Sequence, residues 1–281
     1  MKTLKILSFL LIGTIGVQTI FADDSMKIGV RAGLNLASMA YSGSTSRDRE
    51  SFSNGVSQGR SSYKRTSDES QMGGNLIGIL IGTVIDIKIA DFLYIQPGIM
   101  LSSKGQDTKI EDEETRISAS SPRIDKGKYN QRFNPYYVDI PVMLSLKGTL
   151  AENLALRAHA GPYLGLGLFG KGETSSEEYN NGVPDSDNGK RKIKNLFSIT
   201  EEEKEEFRFG GLSRFNFGIG FGTGIEFSHF YVGLSYNYGL TSAMKKYDYL
   251  EAEDGGQYIE KGTREVNIYE RTLSITMGYN I

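Results

Sequence analysis

The sequence predicts an all-β chain: a single antiparallel up-and-down barrel of eight strands, crossing a membrane, with four long loops at one end. Three observations predict it. The run from Phe215 to Phe227, FNFGIGFGTGIEF, places Phe215, Phe217, Ile219, Phe221, Ile225 and Phe227 on one parity, and Asn216, Gly218, Gly220, Gly222, Gly224 and Glu226 on the other. A period of two is that of a strand. A broad apolar face opposite a glycine-rich one suits a narrow barrel with lipid outside and little room within. Seven further segments alternate in the same way, and the connections between them alternate between short and long.

Residues 1–22 read as a secretory signal peptide. Lys2 and Lys5 form a basic start, Ile6 to Val17 an apolar stretch, and Ala22 a cleavage position before Asp23-Asp24. The apolar stretch is shorter than a spanning helix requires. The domain to be folded is therefore 23–281.

The first strand is expected near Lys27 to Ala37, with Ile28, Val30, Ala32, Leu34 and Leu36 outward. The second, near Gly74 to Ile89, turns Ile77, Ile79, Ile81, Ile85, Ile87 and Ile89 outward, and Leu76, Leu80 and Val84 inward beside Asp86 and Lys88. The third, near Leu93 to Ser103, is interrupted by Pro97, which predicts a bulge or kink. The fourth, near Tyr136 to Lys147, sets Val138, Ile140, Val142, Leu144 and Leu146 against Tyr137, Asp139, Met143, Ser145 and Lys147. The fifth runs near Leu154 to Gly170, and the sixth is the Phe215 run. The seventh, near Tyr231 to Ala243, and the eighth, near Val266 to Ile281, alternate equally well. These lengths suit tilted strands crossing a bilayer.

Short connections fall at 90–92, 148–153 and 228–230, and long ones at 39–72, 104–135, 171–211 and 244–265. Outer-membrane barrels place short turns in the periplasm and long loops outside in this order. A secreted lipocalin-type barrel is the soluble alternative, and four long excursions at one end argue against it. An even strand count leaves both termini in the periplasm. The absence of cysteine excludes a lipobox, disulfides and thiolate metal sites. A net charge of −2 with no basic stripe argues against nucleic acid as a partner.

The segments KIGVRAGLNLA, LYIQPGIMLSSKG, YYVDIPVMLSLKG, LRAHAGPYLGLGLFGKG and RTLSITMGYNI resemble the outer-membrane β-barrel domain of Gram-negative "porin family" proteins, a family that includes an accessory barrel of type IX secretion. The resemblance spans nearly the whole chain after the signal peptide and rests on strand patterning, with no catalytic motif. It implies residence in the outer membrane, contact with membrane lipid and lipopolysaccharide, and insertion by the barrel-assembly machinery. Ile281 departs from the aromatic C-terminal residue common in such proteins.

The charges expected to line the interior are Lys27, Arg31, Asp86, Lys88, Asp139, Lys147, Arg157, Arg214, Glu226 and Glu270. They read either as a salt-bridged polar plug or as the walls of a narrow ion path, and eight strands leave space for little beyond side chains. His159 is expected inside beside Arg157, and His229 in a turn. A membrane hydrolase would need a nucleophile beside a histidine, and spacing places no serine there. Arg271 has outward parity and is a candidate for contact with a lipopolysaccharide phosphate.

Within the long connections, 41–71 reads as a mobile serine-rich stretch. Glu111 to Glu114 and Glu201 to Glu206 are acidic patches. Thr200 with Glu203 fits a capping box opening a short helix. Asp185 to Gly189 has its glycine in the wrong place for a calcium loop and reads as a turn. No cofactor or metal is expected. The functional expectation is a closed or nearly closed barrel with a structural, adhesive or envelope-assembly accessory role, reaching an extracellular or envelope protein partner through its loops. A small diffusion channel and a membrane-embedded hydrolase are the alternatives.

Overall fold

Strict alternation commits each strand to two different environments, and closing the sheet is what separates them. The computed structural model describes residues 26–53, 56–67, 75–118, 121–180, 183–184, 189–207, 211–245, 247–252 and 258–281. The signal-peptide residues 1–22 and the Asp185–Asn188 part of the expected turn lie outside them. One sheet holds thirteen strands: β1 (Met26–Ser53), β2 (Val56–Ser67), β3 (Leu76–Ala90), β4 (Leu93–Ser103), β5 (Gln106–Ser118), β6 (Ser121–Ala151), β7 (Leu154–Asn180), β8 (Val183–Pro184), β9 (Gly189–Ile193), β10 (Phe215–Phe227), β11 (Phe230–Gly239), β12 (Tyr247–Ala252) and β13 (Tyr258–Asn280). Eight of them, β1-β3-β4-β6-β7-β10-β11-β13, form a closed antiparallel ring, because β13 pairs back onto β1 from Gly29↔Asn280 to Ser51↔Tyr258. Closure leaves the ring without an edge to expose in lipid.

The other five strands lie beyond the ring. β2 and β12 flank β1 and β13 to give the order β2-β1-β13-β12, and β5, β8 and β9 extend the β6–β7 pair. The regions 39–72 and 104–135, read from sequence as loops, are thus largely hairpins of continued strands. Polar residues do not stop a strand, because pairing satisfies the backbone groups that a loop would leave to solvent. The side chains of the Glu111–Glu114 patch lie outside the described ones.

At the opposite end the turns are tight: Asp91-Phe92, Glu152-Asn153 and Ser228-His229. Ser228 adopts φ 53°, in the left-handed region. The turns are tied to neighbouring strands by Lys147 N–H donating to Phe92 O (2.8 Å), Ser228 N–H to Asn153 O (2.8 Å) and Asn280 N–H to His229 O (2.8 Å). Lys88 pairs with Asp91 at 2.9 Å and holds that carboxyl below its ordinary range.

The two faces differ as alternation requires. Along β10 the phenylalanines and isoleucines are exposed on the outside, while Asn216 and Glu226 are buried. A Cβ on Gly224 would strike the Tyr231 ring, and one on Gly222 the His159 imidazole, so the glycines make room for large inward side chains from neighbouring strands. Leu80 and Val84 are buried inside, and Ile77, Ile79, Ile81, Ile85 and Ile89 are exposed. At Pro97 no bulge forms. The residue pairs with Val142 on β6, and the β3–β4 ladder skips from Gly98 to Ile95 without changing register. The proline removes a donor but shifts nothing; the β3–β4 register shift falls between Lys88 and Ala90, beside the turn.

Candidate functional site

The inward face gathers its charges into two clusters. Nearer the short turns, Arg157 on β7 reaches two carboxylates: its Nη2 donates to Asp86 Oδ2 on β3 and its Nε to Glu226 Oε2 on β10, each at 2.6 Å. Lys147 Nζ adds a second cation to Glu226 Oε1 at 2.6 Å, and Gln96 Nε2 donates to Asp86 Oδ1 at 2.6 Å. Arg31 lies beside them, donating to Asn280 Oδ1 at 2.7 Å and covering the Tyr231 ring at 4.4 Å. Arg31, Asp86, Arg157 and Glu226 are each at most 5% exposed. Asp86, Arg157 and Glu226 persist as buried charges because each is paired and hydrogen-bonded, while Arg31 is held by Asn280 and the Tyr231 ring.

The second cluster lies nearer the hairpins. Lys104, just past the end of β4, sends Nζ to Asp139 Oδ1 on β6 (2.8 Å) and to Glu270 Oε1 on β13 (2.9 Å). Asn216 Nδ2 and Thr272 Oγ1 also donate to Glu270. The ammonium sits against the rings of Tyr163 and Tyr137, 4.9 and 5.3 Å from their centroids. A polar chain continues through Ser274 to Asn35 (2.7 Å) and from Asn35 to Ser102 (2.9 Å). Between the clusters lies a cavity of about 90 Å³, whose walls include Arg31, Asp139, Met143, His159, Tyr163 and Tyr231. That volume holds a few waters.

Three of the charges assigned to the interior by parity lie elsewhere. Lys27 and Lys88 keep the inward parity but stand exposed at strand ends, because the interior opens where the strands stop. Arg214 precedes β10 and is exposed, its Nη1 donating to Gly167 O at 3.1 Å; parity carries no meaning outside a ladder. Lys147 is half-buried, as is His159. Arg271 takes the outer face, stacked 3.5 Å above the Tyr238 ring and donating to the Gly239 and Glu270 carbonyls. His159 has a serine closer than spacing suggested: Ser145 faces it across the β6–β7 ladder. Yet Ser145 Oγ is fully buried and makes no hydrogen bond among the described residues.

Lys104 is the residue that the sequence reading missed. It stood at the start of an expected loop, where no periodicity assigns a direction. Its one sequence signal is a cation following directly on an alternating strand.

Above the second cluster the connection from β9 to β10 folds over the ring. Phe133, Tyr137, Ile193, Leu196, Phe197 and Leu212 form a buried apolar core, with Ile199 and Met244 packed against it. Leu196 N–H donates to Gly170 O (2.9 Å), fixing this cap to β7, and Leu212 N–H donates to Leu196 O (2.7 Å), closing the cap on itself. Phe197 packs edge-on against Tyr137, 5.4 Å between centroids. The cap contains one short helix, α1 (Glu201–Phe207), whose start is reciprocal: Glu203 N–H donates to Thr200 Oγ1 (3.2 Å) and Thr200 N–H to Glu203 Oε2 (3.0 Å). Thr200→Ala should cost about 1 kcal/mol of cap stability, seen as faster amide exchange in α1 with exchange in β10 unchanged. Among the described residues no cluster of three or more histidine, cysteine or acidic side chains could hold a metal ion.

A family model described as "Outer membrane protein beta-barrel domain" matches residues 21–245. Among solved structures, the chain is similar to Ail, the attachment invasion locus protein of Yersinia pestis, at 12% identity and a TM-score of 0.20, covering 89% of this chain and 99% of that one. It is similar to the outer membrane protein OprG from Pseudomonas aeruginosa at 13% identity and a TM-score of 0.28, covering 92% and 96%. The outer membrane protease OmpT from Escherichia coli is similar at 10% identity and a TM-score of 0.25, covering 94% and 100%. Likenesses this loose carry no weight on activity. No curated protein matches the chain.

Proposed function

The chain belongs to the outer membrane β-barrel domain family and resides in the outer membrane of a Gram-negative bacterium; from that premise we propose that it works as a closed, non-enzymatic barrel. Its role is structural, adhesive or accessory to envelope assembly, exercised through the hairpins and cap on the extracellular side. The observation that carries this reading is the double occlusion of the interior. Arg157, Asp86 and Glu226 join three strands across one level, and Lys104, Asp139 and Glu270 join the chain beyond β4 to two strands at another. The apolar cap then covers the extracellular mouth. An ion crossing this interior would have to separate pairs that are worth keeping together only because they are desolvated.

Planar-bilayer conductance of the refolded protein tests the proposal, with a boiled sample as control. The expected result is a silent membrane although the barrel is folded. Discrete steps that shift when Arg157 or Glu226 is neutralised would overturn it in favour of a small diffusion channel. The hydrolase alternative is disfavoured by Ser145, whose hydroxyl is fully buried and makes no bond to His159 among the described residues. Arg271 fits contact with a lipid phosphate. Its Nη1 is anchored to the backbone and its plane to Tyr238, which pre-orients the guanidinium at the outer face.

A further inference from the structure

The outer surface carries a cationic step at one corner of the ring, where β7 leaves the lipid-facing band. From Leu156 to Leu168 the outward residues of β7 are apolar and exposed. Tyr136 and Phe169, paired across β6 and β7, stack with centroids 4.7 Å apart and end that band. Two residues on, about 7 Å along the strand, comes exposed Lys171. β9 then joins the same side of the sheet: Lys192 stands opposite Glu173 and Lys190 opposite Ser175, with Lys194 just beyond the strand, all three lysines exposed. Ile193, buried in the cap core, fixes this strand in place.

Beyond the lysines the outer face is concave. A cleft of about 500 Å³ is lined by Asp107, Asn130, Arg132, Glu173, Ser175 and Lys190, among others. Arg132 is paired with Asp107 at 2.6 Å, and Lys190 lies 3.8 Å from Glu173. Moving away from the membrane, this corner therefore presents apolar and aromatic residues, then cations, then a mixed polar concavity. That is the order in which an outer-leaflet glycolipid presents acyl chains, phosphate and sugar.

We propose that this corner of β6, β7 and β9 binds a phosphorylated glycolipid of the outer leaflet, with Lys171, Lys192 and Lys194 meeting the phosphate and the polar cleft receiving the sugar. The aromatic pair sets the depth, and the strands hold the ammonium groups without the ordering cost of a loose basic tail. The inference rests on the barrel's place in the outer membrane and stands whether or not the interior conducts.

The test uses the whole refolded protein in phosphatidylcholine vesicles containing a small fraction of bis-phosphorylated lipid A. Lipid retained after transfer to mild detergent is counted by native mass spectrometry. Lys171→Gln/Lys192→Gln is compared with Lys27→Gln/Lys88→Gln, an equal charge change at the periplasmic end, and both are checked for folding by heat-modifiable gel migration. Near a membrane surface each cation contributes about a fivefold factor, so the first pair should lose roughly 30-fold in retention while the second retains the wild-type level. Equal loss in both pairs, equal retention of phosphatidylglycerol, or displacement by inorganic phosphate would each overturn the proposal. The first two results would mean unspecific charge attraction, the third a soluble-anion site. Glu173→Gln, which removes a competing carboxylate, should raise retention; a fall would count against it as well.

Discussion

Arg157→Met should destabilise the folded barrel by about 3–5 kcal/mol, the cost of leaving buried carboxylates without their cation. The side chain is 2% exposed and forms an ion pair with each of two acids on different strands. The two acids are not equally dependent on it. Glu226 keeps Lys147 at 2.6 Å, whereas among the described contacts Asp86 keeps Gln96, a neutral donor. Restoring neutrality at Asp86 should therefore rescue more than at Glu226. Urea unfolding in lipid vesicles, followed by tyrosine fluorescence, would rank Arg157→Met/Asp86→Asn above Arg157→Met/Glu226→Gln. The reverse ranking would show that Arg157 acts mainly through β10.

Leu196→Ala should weaken the extracellular cap by about 2–5 kcal/mol, the range for emptying a fully buried leucine position. Leu196 has no exposed surface and its neighbours Ile193, Phe197 and Leu212 are equally enclosed. The loss is local, since the cap adds little to the eight-stranded ladder beneath it. Limited proteolysis should cut within 189–214 much faster than in the wild type, while the ring keeps its heat-modifiable migration. Conductance should stay silent even so, because both charge clusters lie below the cap. Unchanged proteolysis would mean that the backbone bonds to Gly170 and Leu196, and not the apolar core, hold the cap down.

Whatever a period of two can report was legible in the sequence. It separated Ile77, Ile79 and Ile81 from Leu80 and Val84 although all are apolar, because the faces differ by parity and not by residue type. It also placed Arg31, Asp86, Asp139, Arg157, Glu226 and Glu270 on the side that the closed ring buries. The reading failed where parity loses its reference. Lys104 and Arg214 lie just outside ladders, and the β6–β7 register shifts at Tyr136/Tyr137, so Leu168 and Phe169 are both exposed. The cap was illegible for another reason. Ile193, Leu196 and Phe197 carry the spacing of one helix face, yet Ile193 closes a strand and 194–198 form no helix, and the burial of these residues depends on contacts with Phe133 and Tyr137, distant in sequence. The extra hairpins could not be read because strands of mostly polar residues lack the contrast that alternation needs.

The closing seam has a consequence for how the barrel comes into being. The longest-range pairing joins the first strand to the last, and Glu270, which completes the Lys104 cluster, lies on that last strand. A chain held up before its final segment would keep an ammonium facing a single carboxylate, with two raw β-edges alongside. The second carboxylate partner of Lys104 and a sealed perimeter then arrive in the same late event. Pairing across such a sequence distance is slow because the entropy of bringing the ends together is lost before any contact rewards it. The half-built ring is consequently the species at risk of misassociation, and shielding its two edges until β13 docks is the step at which a folding helper would matter most.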